Sequence, residues 1–302
     1  MMKKHMLKMA VISRPIVQAN NRTESRGNVM PLQTISIGQR TRSILTGVAI
    51  RRALRDALED EMAIQGKEVF RHRDVHPEGT GYGYGPDKLP SLLEAIRQAK
   101  SLDTLRSDYP DVGLFGGMAV GAKKTAENGD TTAAFQFRAR SAVNVSLAVS
   151  TSVVEGDSTF HQGVNAESHK IAPYNQDNHT TRYVFALTFN LHQVPKLEWV
   201  RETLRLIVGG LQVGGNHARS DAILMPEVVL WRFFRRIGNG GLYLPAYETA
   251  VEKPVDLEPF RQQATEHDTP FEIGGSDYSN LTLMEAVDEM WTQMVDLTGA
   301  EA

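Results

Sequence analysis

NNRTESRGNVMPLQTISIGQRTRSILTGVAIRRALR, residues 20–55, is the stretch on which the reading of this chain turns. Its beginning is a polar loop of Asn, Arg and Gly, and its end is an amphipathic helix. Ile50, Ala53, Leu54, Ala57 and Leu58 recur at i, i+3, i+4, i+7 and i+8, which makes one buried stripe. Ser43 or Thr46 supplies the helix cap, and a helix N-terminus beside Ser43 would favour phosphate. Arg51, Arg52 and Arg55 fall off the stripe. Arg52 and Arg55 have acids one turn on, Asp56 and Glu59, so an ordinary solvated face accounts for them. Arg51 has Arg55 at i+4 and Gly47 at i−4, hence no acid on its own helix. Like charges one turn apart repel unless an anion separates them, which makes Arg51 the first candidate for a phosphate contact. The loop before the helix offers Asn20, Asn21, Arg22, Arg26 and Asn28, with exposed amides and unusual backbone angles that suit a phosphate.

Charge supports this reading. Residues 1–55 hold eleven Lys/Arg against one acid, Glu24, a net +10. Residues 245–302 hold Lys253 and Arg261 against thirteen Asp/Glu, a net −11. The basic head suits an anion. The acidic tail suits the head of another copy, or head and tail neutralise each other within one fold. The 302 residues, 41% apolar, suffice for one large domain or a core with insertions. No segment reaches the roughly 20 apolar residues of a membrane span. MMKKHMLKMAVISRP has only Met9 to Ile12 as an apolar run, so it is not read as an export signal. The absence of cysteine excludes disulfides and cysteine-based zinc sites and fits a cytoplasmic protein.

Residues 5–18 read as a strand with a bend or edge at Pro15. After the helix, residues 60–135 lose periodicity and read as an insertion. His72 and His76 lack the third ligand a metal needs. GLFGGMAVGAKKT (113–125) nearly matches a P-loop, but Ala122 puts Lys123 out of register. Residues 135–154 and 182–191 are rich in β-branched residues and read as strands. Between them lies a polar stretch, 155–181, too long for a simple turn. Its composition fits disorder and phosphate contact alike. Phe160 is shaped to wedge between bases; His161, Lys170, His179 and Arg182 suit phosphates. Leu197, Val200, Leu204, Ile207 and Val208 define a second helix, which stops at GGLQVGGNHARS (209–220). There Gly214, Gly215, Asn216, His217 and Arg219 let backbone approach a ligand closely. A strand over 223–234, interrupted at Pro226, and a helix over 281–297 complete the chain.

The core succession is βαββαβ, an α+β fold of ferredoxin-like or RNA-recognition type, without the aromatic signature of an RNA-recognition motif. RGNVMPLQ (26–33) followed by SILTGVAIRRALRDAL (43–58) resembles the N-terminal pattern of the CRISPR Cascade backbone subunit, in its DevR-type branch. GLFGG (113–117), RSAVNVSLAVS (140–150), TTRYVFALTFNL (180–191) and GGLQVGGNHARS (209–220) resemble it too, in the family's order. The resemblance covers roughly 8–235.

The resemblance implies a ferredoxin-like palm with a helical finger insertion and a long β-hairpin thumb. The palm takes 1–59, 136–154 and 182–302 with the acidic region; the fingers take 60–135 and the thumb 155–181. It implies RNA-backbone contacts at Asn20–Asn28, Ser43–Arg55 and Gly214–Arg219. The implied partners are CRISPR RNA, target DNA, further copies head to tail, and other Cascade subunits, with no cofactor and no membrane. Related subunits that cut RNA carry an early aspartate, and this chain has no Asp before Asp56, so the resemblance implies no catalysis. The competing readings are a nuclease using Glu24 with His161 or His179, and a nucleotide-binding switch at 116–125.

Overall fold

The structure, a computed structural model, describes residues 5–18, 29–64, 103, 106–107, 109–121, 124–125, 131–132, 135–155, 157–164, 171–213, 223–235, 255–266 and 270–299. The chain opens with β1 (His5–Ser13), β2 (Ile16–Gln18), β3 (Val29–Met30), β4 (Thr34–Ile37) and β5 (Arg40–Leu45), then α1 (Gly47–Ile64). A π-helical turn at Asp111–Phe115 precedes β6 (Gly117–Gly121), β7 (Lys124–Thr125), β8 (Thr131–Thr132) and β9 (Phe135–Ala139). Next come β10 (Val143–Val145), β11 (Ala148–Ser150), β12 (Asp157–Val164), β13 (Ile171–Thr181) and β14 (Tyr183–Asn190). The remainder is α2 (Leu197–Gly209), β15 (Leu211–Gln212), β16 (Ile223–Leu224), β17 (Pro226–Arg235), α3 (Glu258–Glu266), β18 (Glu272–Gly274) and α4 (Leu283–Thr298).

One antiparallel sheet carries the fold, in the order β18-β17-β1-β14-β11-β5-β4, with β10 also beside β14. β1 lies at its centre, flanked by β14 and β17 along nearly its whole length. Of the edge or bend that Pro15 suggested, the bend is what forms: the proline follows the end of β1 and turns the chain into β2, so the missing N–H falls outside the central ladder. Residues 135–154 are three short strands, β9 to β11, in place of one. Pro226 opens β17, the first-residue position a strand tolerates for proline.

The two faces of the sheet bury different partners. On one, Leu7, Met9, Val11, Phe185, Leu187 and Trp231 pack with Ile50 and Leu54 of α1, Leu204 and Ile207 of α2, and Met290 of α4. On the other, Ala10, Ile12, Val184, Val228 and Leu230 pack with Val255, Leu257 and Phe260. Leu54 has no exposed surface; a fully buried leucine contributes roughly 1.5–3 kcal/mol over an exposed one. The expected stripe on α1 is this buried side. The helix starts after Thr46, whose Oγ1 accepts from the Ala49 N–H at 3.1 Å. Ser43 is not at a helix terminus; it stands in β5. Gly47 lets α1 begin hard against β10, since a Cβ there would lie 2.5 Å from the Val145 carbonyl oxygen. α4 begins with a capping box at Thr282 and Glu285.

The P-loop-like glycines have a packing explanation. A Cβ on Gly113 would lie 2.6 Å from the Trp199 ring, and Gly116 turns the chain at φ +65°. The described residues of the stretch 155–181 form the two strands of a β-hairpin: β12 and β13 pair antiparallel from Asp157↔Asn178 to Val164↔Ile171. Among the described residues, no helix is long and apolar enough to cross a membrane.

Candidate nucleic-acid interface

The hairpin gathers the segments that the sequence singled out. β2 pairs with its second strand at His179–Thr181, and β3 pairs with the same strand at Asn175–Gln176. The loop carrying Asn20, Asn21, Arg22, Arg26 and Asn28 lies outside the described residues, but both its ends are therefore fixed on β13. Gln18, the last residue before that loop, donates from Nε2 to the Val213 carbonyl at 3.4 Å. Val213 immediately precedes the Gly-rich turn. Gly214, Gly215, Asn216, His217 and Arg219 also lie outside the described residues, and the strands flanking them, β15 and β16, pair with each other. Leu211 and Val213 share the cluster of Ile50 and Leu54, so α1 rests on the strand leading to the turn. The described flanks of loop and turn, and α1, thus come together in the fold although the turn is far away in sequence.

Phe160 is 64% exposed on β12 and pairs with Asn175, which pairs in turn with Val29. An aromatic ring thus stands on the row where the loop returns. His161 lies on the same strand, with Tyr174 as its register partner.

The arginines of α1 divide into three cases. Arg52 is exposed and pairs with Asp56 at 3.1 Å, as its spacing foretold. The side chain of Glu59, the partner expected for Arg55, lies outside the described residues. Arg55 Nε lies 2.6 Å from Asp111, its Nη2 donates to the Gly116 carbonyl at 3.0 Å, and its guanidinium sits over the Phe115 ring. Arg55 therefore ties α1 to the π-helical turn. Arg51 is half-buried, and its Nε is shielded from solvent with no hydrogen-bond partner among the described residues. Burial, and then the neighbouring Arg55 charge, push its pKa down. Both effects disfavour the charged form, and an anion brought beside the guanidinium would act in the opposite sense.

Ser43, His179 and Arg182 have internal partners. Ser43 has no exposed surface; its Oγ lies 2.7 Å from His179 Nδ1 and 2.7 Å from the Tyr183 hydroxyl. His179 Nε2 lies 3.0 Å from Ser152 Oγ, which donates to Thr181 Oγ1, which donates to the Arg182 carbonyl. Each hydroxyl has one proton, so the chain has a direction. Ser152 spends its proton on Thr181 and must accept from His179 Nε2–H. His179 Nδ1 then accepts from Ser43, and Ser43 accepts from Tyr183. Burial pushes the Tyr183 phenol up to about 12, which keeps it a donor. Arg182 pairs with Glu227 at 2.9 Å, both nearly sealed from water, and the Tyr278 hydroxyl donates to Glu227 at 2.7 Å. Burial and the Glu227 hydrogen bond push the Tyr278 phenol up to about 12. These three residues, expected to face phosphate, instead lock the hairpin base to the sheet. A polar group at such a junction is held inside by its partners.

Glu227 and Asp111 were not foreseen. Each is a single acid inside an apolar run, PEVVLW and DVGLF. That pattern signals a buried counter-charge, although the partner is distant in sequence. Among the described residues, three ion pairs of the head and tail are made elsewhere: Arg55 to Asp111, Arg52 to Asp56, and Asp288 of the tail to Arg201 of α2 at 3.0 Å.

No family model matches the chain. Across 96% of its length it superposes on 100% of a chain of a solved CRISPR RNA-guided surveillance complex in a pre-nicking state, with TM-score 0.55 at 14% identity. A second such complex gives TM-score 0.55 at 16% identity, over 95% of this chain and 99% of that one. The fold is thus shared with chains of these complexes. In sequence, the chain is 28% identical over 263 residues to the CRISPR-associated protein Cas7/Cst2/DevR of Myxococcus xanthus strain DK1622, covering 83% of this chain and 79% of that protein. The resemblance to the DevR-type branch of the Cascade backbone subunit, drawn from the quoted motifs, is borne out by this relative.

Proposed function

We propose that this chain is a non-catalytic backbone subunit that holds CRISPR RNA. In this reading the antiparallel sheet with its helices is a ferredoxin-like palm, the stretch 60–135 provides the fingers, and the β12–β13 hairpin is the thumb. Copies stack head to tail along the guide and present it for pairing with target DNA within a Cascade-type complex.

The observation that carries the proposal is the linkage of the described flanks of loop 20–28 and of the turn 214–219: β2 and β3 lie on β13, Gln18 reaches Val213, and α1, which carries an arginine whose Nε has no hydrogen-bond partner among the described residues, packs on β15. Arg51 grips the phosphodiester backbone from α1. Arg22, Arg26, Asn20, Asn21 and Asn28 grip it from the loop, with Gly214, Gly215, Asn216, His217 and Arg219 opposite. Phe160 stands on the hairpin, where an exposed ring stacks on or parts bases. Arg52 adds charge at the rim, and Arg55, Ser43, His179 and Arg182 hold the frame.

A nuclease is the weaker reading. Its candidate His179 already has a hydroxyl on each ring nitrogen, which leaves neither free to move a proton to a substrate.

The test is to purify the protein with its bound RNA, sequence that RNA and map nuclease protection along it. The proposal predicts CRISPR-derived RNA protected at a regular interval. Unselected cellular RNA, or none, would refute it. Adding complementary DNA or RNA with magnesium should give no cuts, and regularly spaced cuts would establish the nuclease instead.

A further inference from the structure

The face of the sheet opposite the main helices is divided. Ala10, Ile12, Val184, Val228 and Leu230 are covered by Val255, Leu257 and Phe260. Farther along the same strands, the same face turns polar. Lys8 is the register partner of Arg232 on β17 and of Thr188 on β14, and Thr188 is the partner of Asn144 on β10. Register partners project from the same side of a sheet, so Arg232, Lys8, Thr188 and Asn144 form one row across four strands. Three strand spacings make that row about 14 Å long. In the next row, Met6 pairs with Phe234, whose ring lies 5.6 Å from the Arg232 guanidinium.

Two cations directly opposite each other on neighbouring strands destabilise a sheet. Here no acid offsets them among the described residues. Arg232 has Nε and Nη1 both shielded from solvent and without a hydrogen-bond partner among the described residues. Burial lowers the pKa of both groups, and Arg232 lowers that of Lys8 further. The Phe234 ring face offsets a small part of this cost.

We infer that this row is a second nucleic-acid surface, which binds the phosphodiester backbone of a single strand through Lys8, Arg232, Thr188 and Asn144, with Phe234 as a stacking platform. The inference goes beyond the guide-binding reading and stands without it. A lone phosphate would need one or two of these groups. A row of two cations followed by two neutral hydrogen-bonding side chains fits an extended backbone. The adjacent aromatic ring favours a nucleic acid over an acidic peptide, because every base offers a face to stack.

The test uses the full chain as purified, with fluorescent, photoreactive oligo(dT) and oligo(U) that do not pair with any bound guide. Crosslinks are expected on the peptides containing 5–13 and 226–235. The double variant Lys8→Gln, Arg232→Gln should bind at least tenfold more weakly, with a salt dependence shallower by about 1.4 log units for two lost contacts. It should keep its bound guide and melt no lower than the parent, since a repulsion is removed. Phe234→Leu, which keeps both charges, should weaken binding about tenfold and serves if the double variant does not fold. Preference for oligo(dT) over oligo(U) assigns the surface to DNA, and the reverse to RNA. Parental affinity in both variants, crosslinks confined to other peptides, or displacement of the probe by poly-glutamate but not by unlabelled nucleic acid would overturn the inference. Guide retention, read on the same samples, tests the Arg51 site separately.

Discussion

Arg182 and Arg51 look alike in the sequence, since both are cations flanking segments suited to RNA. Their surroundings differ completely. Arg182 is sealed at the junction of β13 and β14, with Glu227 at 2.9 Å and Tyr278 behind that carboxylate. Arg51 is half-buried beside another arginine, and its Nε has no acceptor among the described residues. The first arginine has its charge answered within the chain and serves the fold. The second has no acceptor for its Nε among the described residues and is the one proposed to serve a ligand. Counting basic residues finds both; only the partners separate them.

The largest effect that would sharpen this contrast is at the buried pair. Glu227→Ala strands a buried guanidinium and should cost about 3–5 kcal/mol, read as a lower denaturation midpoint. Replacing both partners with apolar residues, Arg182→Met with Glu227→Leu, should recover most of that loss. If Glu227→Ala melts like the parent, Arg182 is not a structural residue and its assignment to RNA reopens.

A smaller loss is expected at the hydroxyl chain. Ser43→Ala removes the one hydroxyl that the Tyr183 hydroxyl and His179 Nδ1 share, at a cost of about 1–3 kcal/mol. Tyr183 also sets an alkaline limit. Its unfolded pKa is about 10 and its folded pKa about 12. The folded state therefore holds a proton that the unfolded state has lost, and stability contributed below pH 10 disappears as pH rises towards 12. Tyr183→Phe should melt lower at neutral pH yet decline less between pH 10 and 12. An unchanged alkaline slope would remove Tyr183 as its cause.

At the surface the effects on stability become slight. Arg52→Gln removes an exposed pair worth at most about 1 kcal/mol, so its midpoint should move by little. A large drop would place Arg52 among the frame residues with Arg55.

The fold was legible where periodicity is local. The stripe of α1, the apolar run of α2 and the βαββαβ succession could each be read from spacing. The observed sheet order, β17-β1-β14 followed by β10 and β11, is the arrangement that succession allows. Ser43 was misplaced because a serine four residues before Gly47 looks the same as a cap or as a strand residue; only the β4–β5 pairing decides. The hairpin within 155–181 was hidden from the residue pattern by its polarity and was expected only through the family resemblance. Its strands show little apolar alternation, and pairing is supplied by β2 and β3 from far away in sequence. The site was half legible. Helical spacing isolated Arg51 and paired Arg52 with Asp56, but the partners of Arg55 and Arg182 lie 56 and 45 residues away. The Lys8–Arg232 row was invisible for the same reason, since it exists only through strand register.

The central claim is that Arg51 holds an RNA backbone, and the salt dependence of RNA affinity tests it most directly. Arg51→Gln should lower affinity across RNA sequences and make the slope of log affinity against log salt shallower by about 0.7–0.9. Its melting temperature should stay level or rise slightly, since its repulsion with Arg55 is lost. Parental affinity with an unchanged slope would contradict the account.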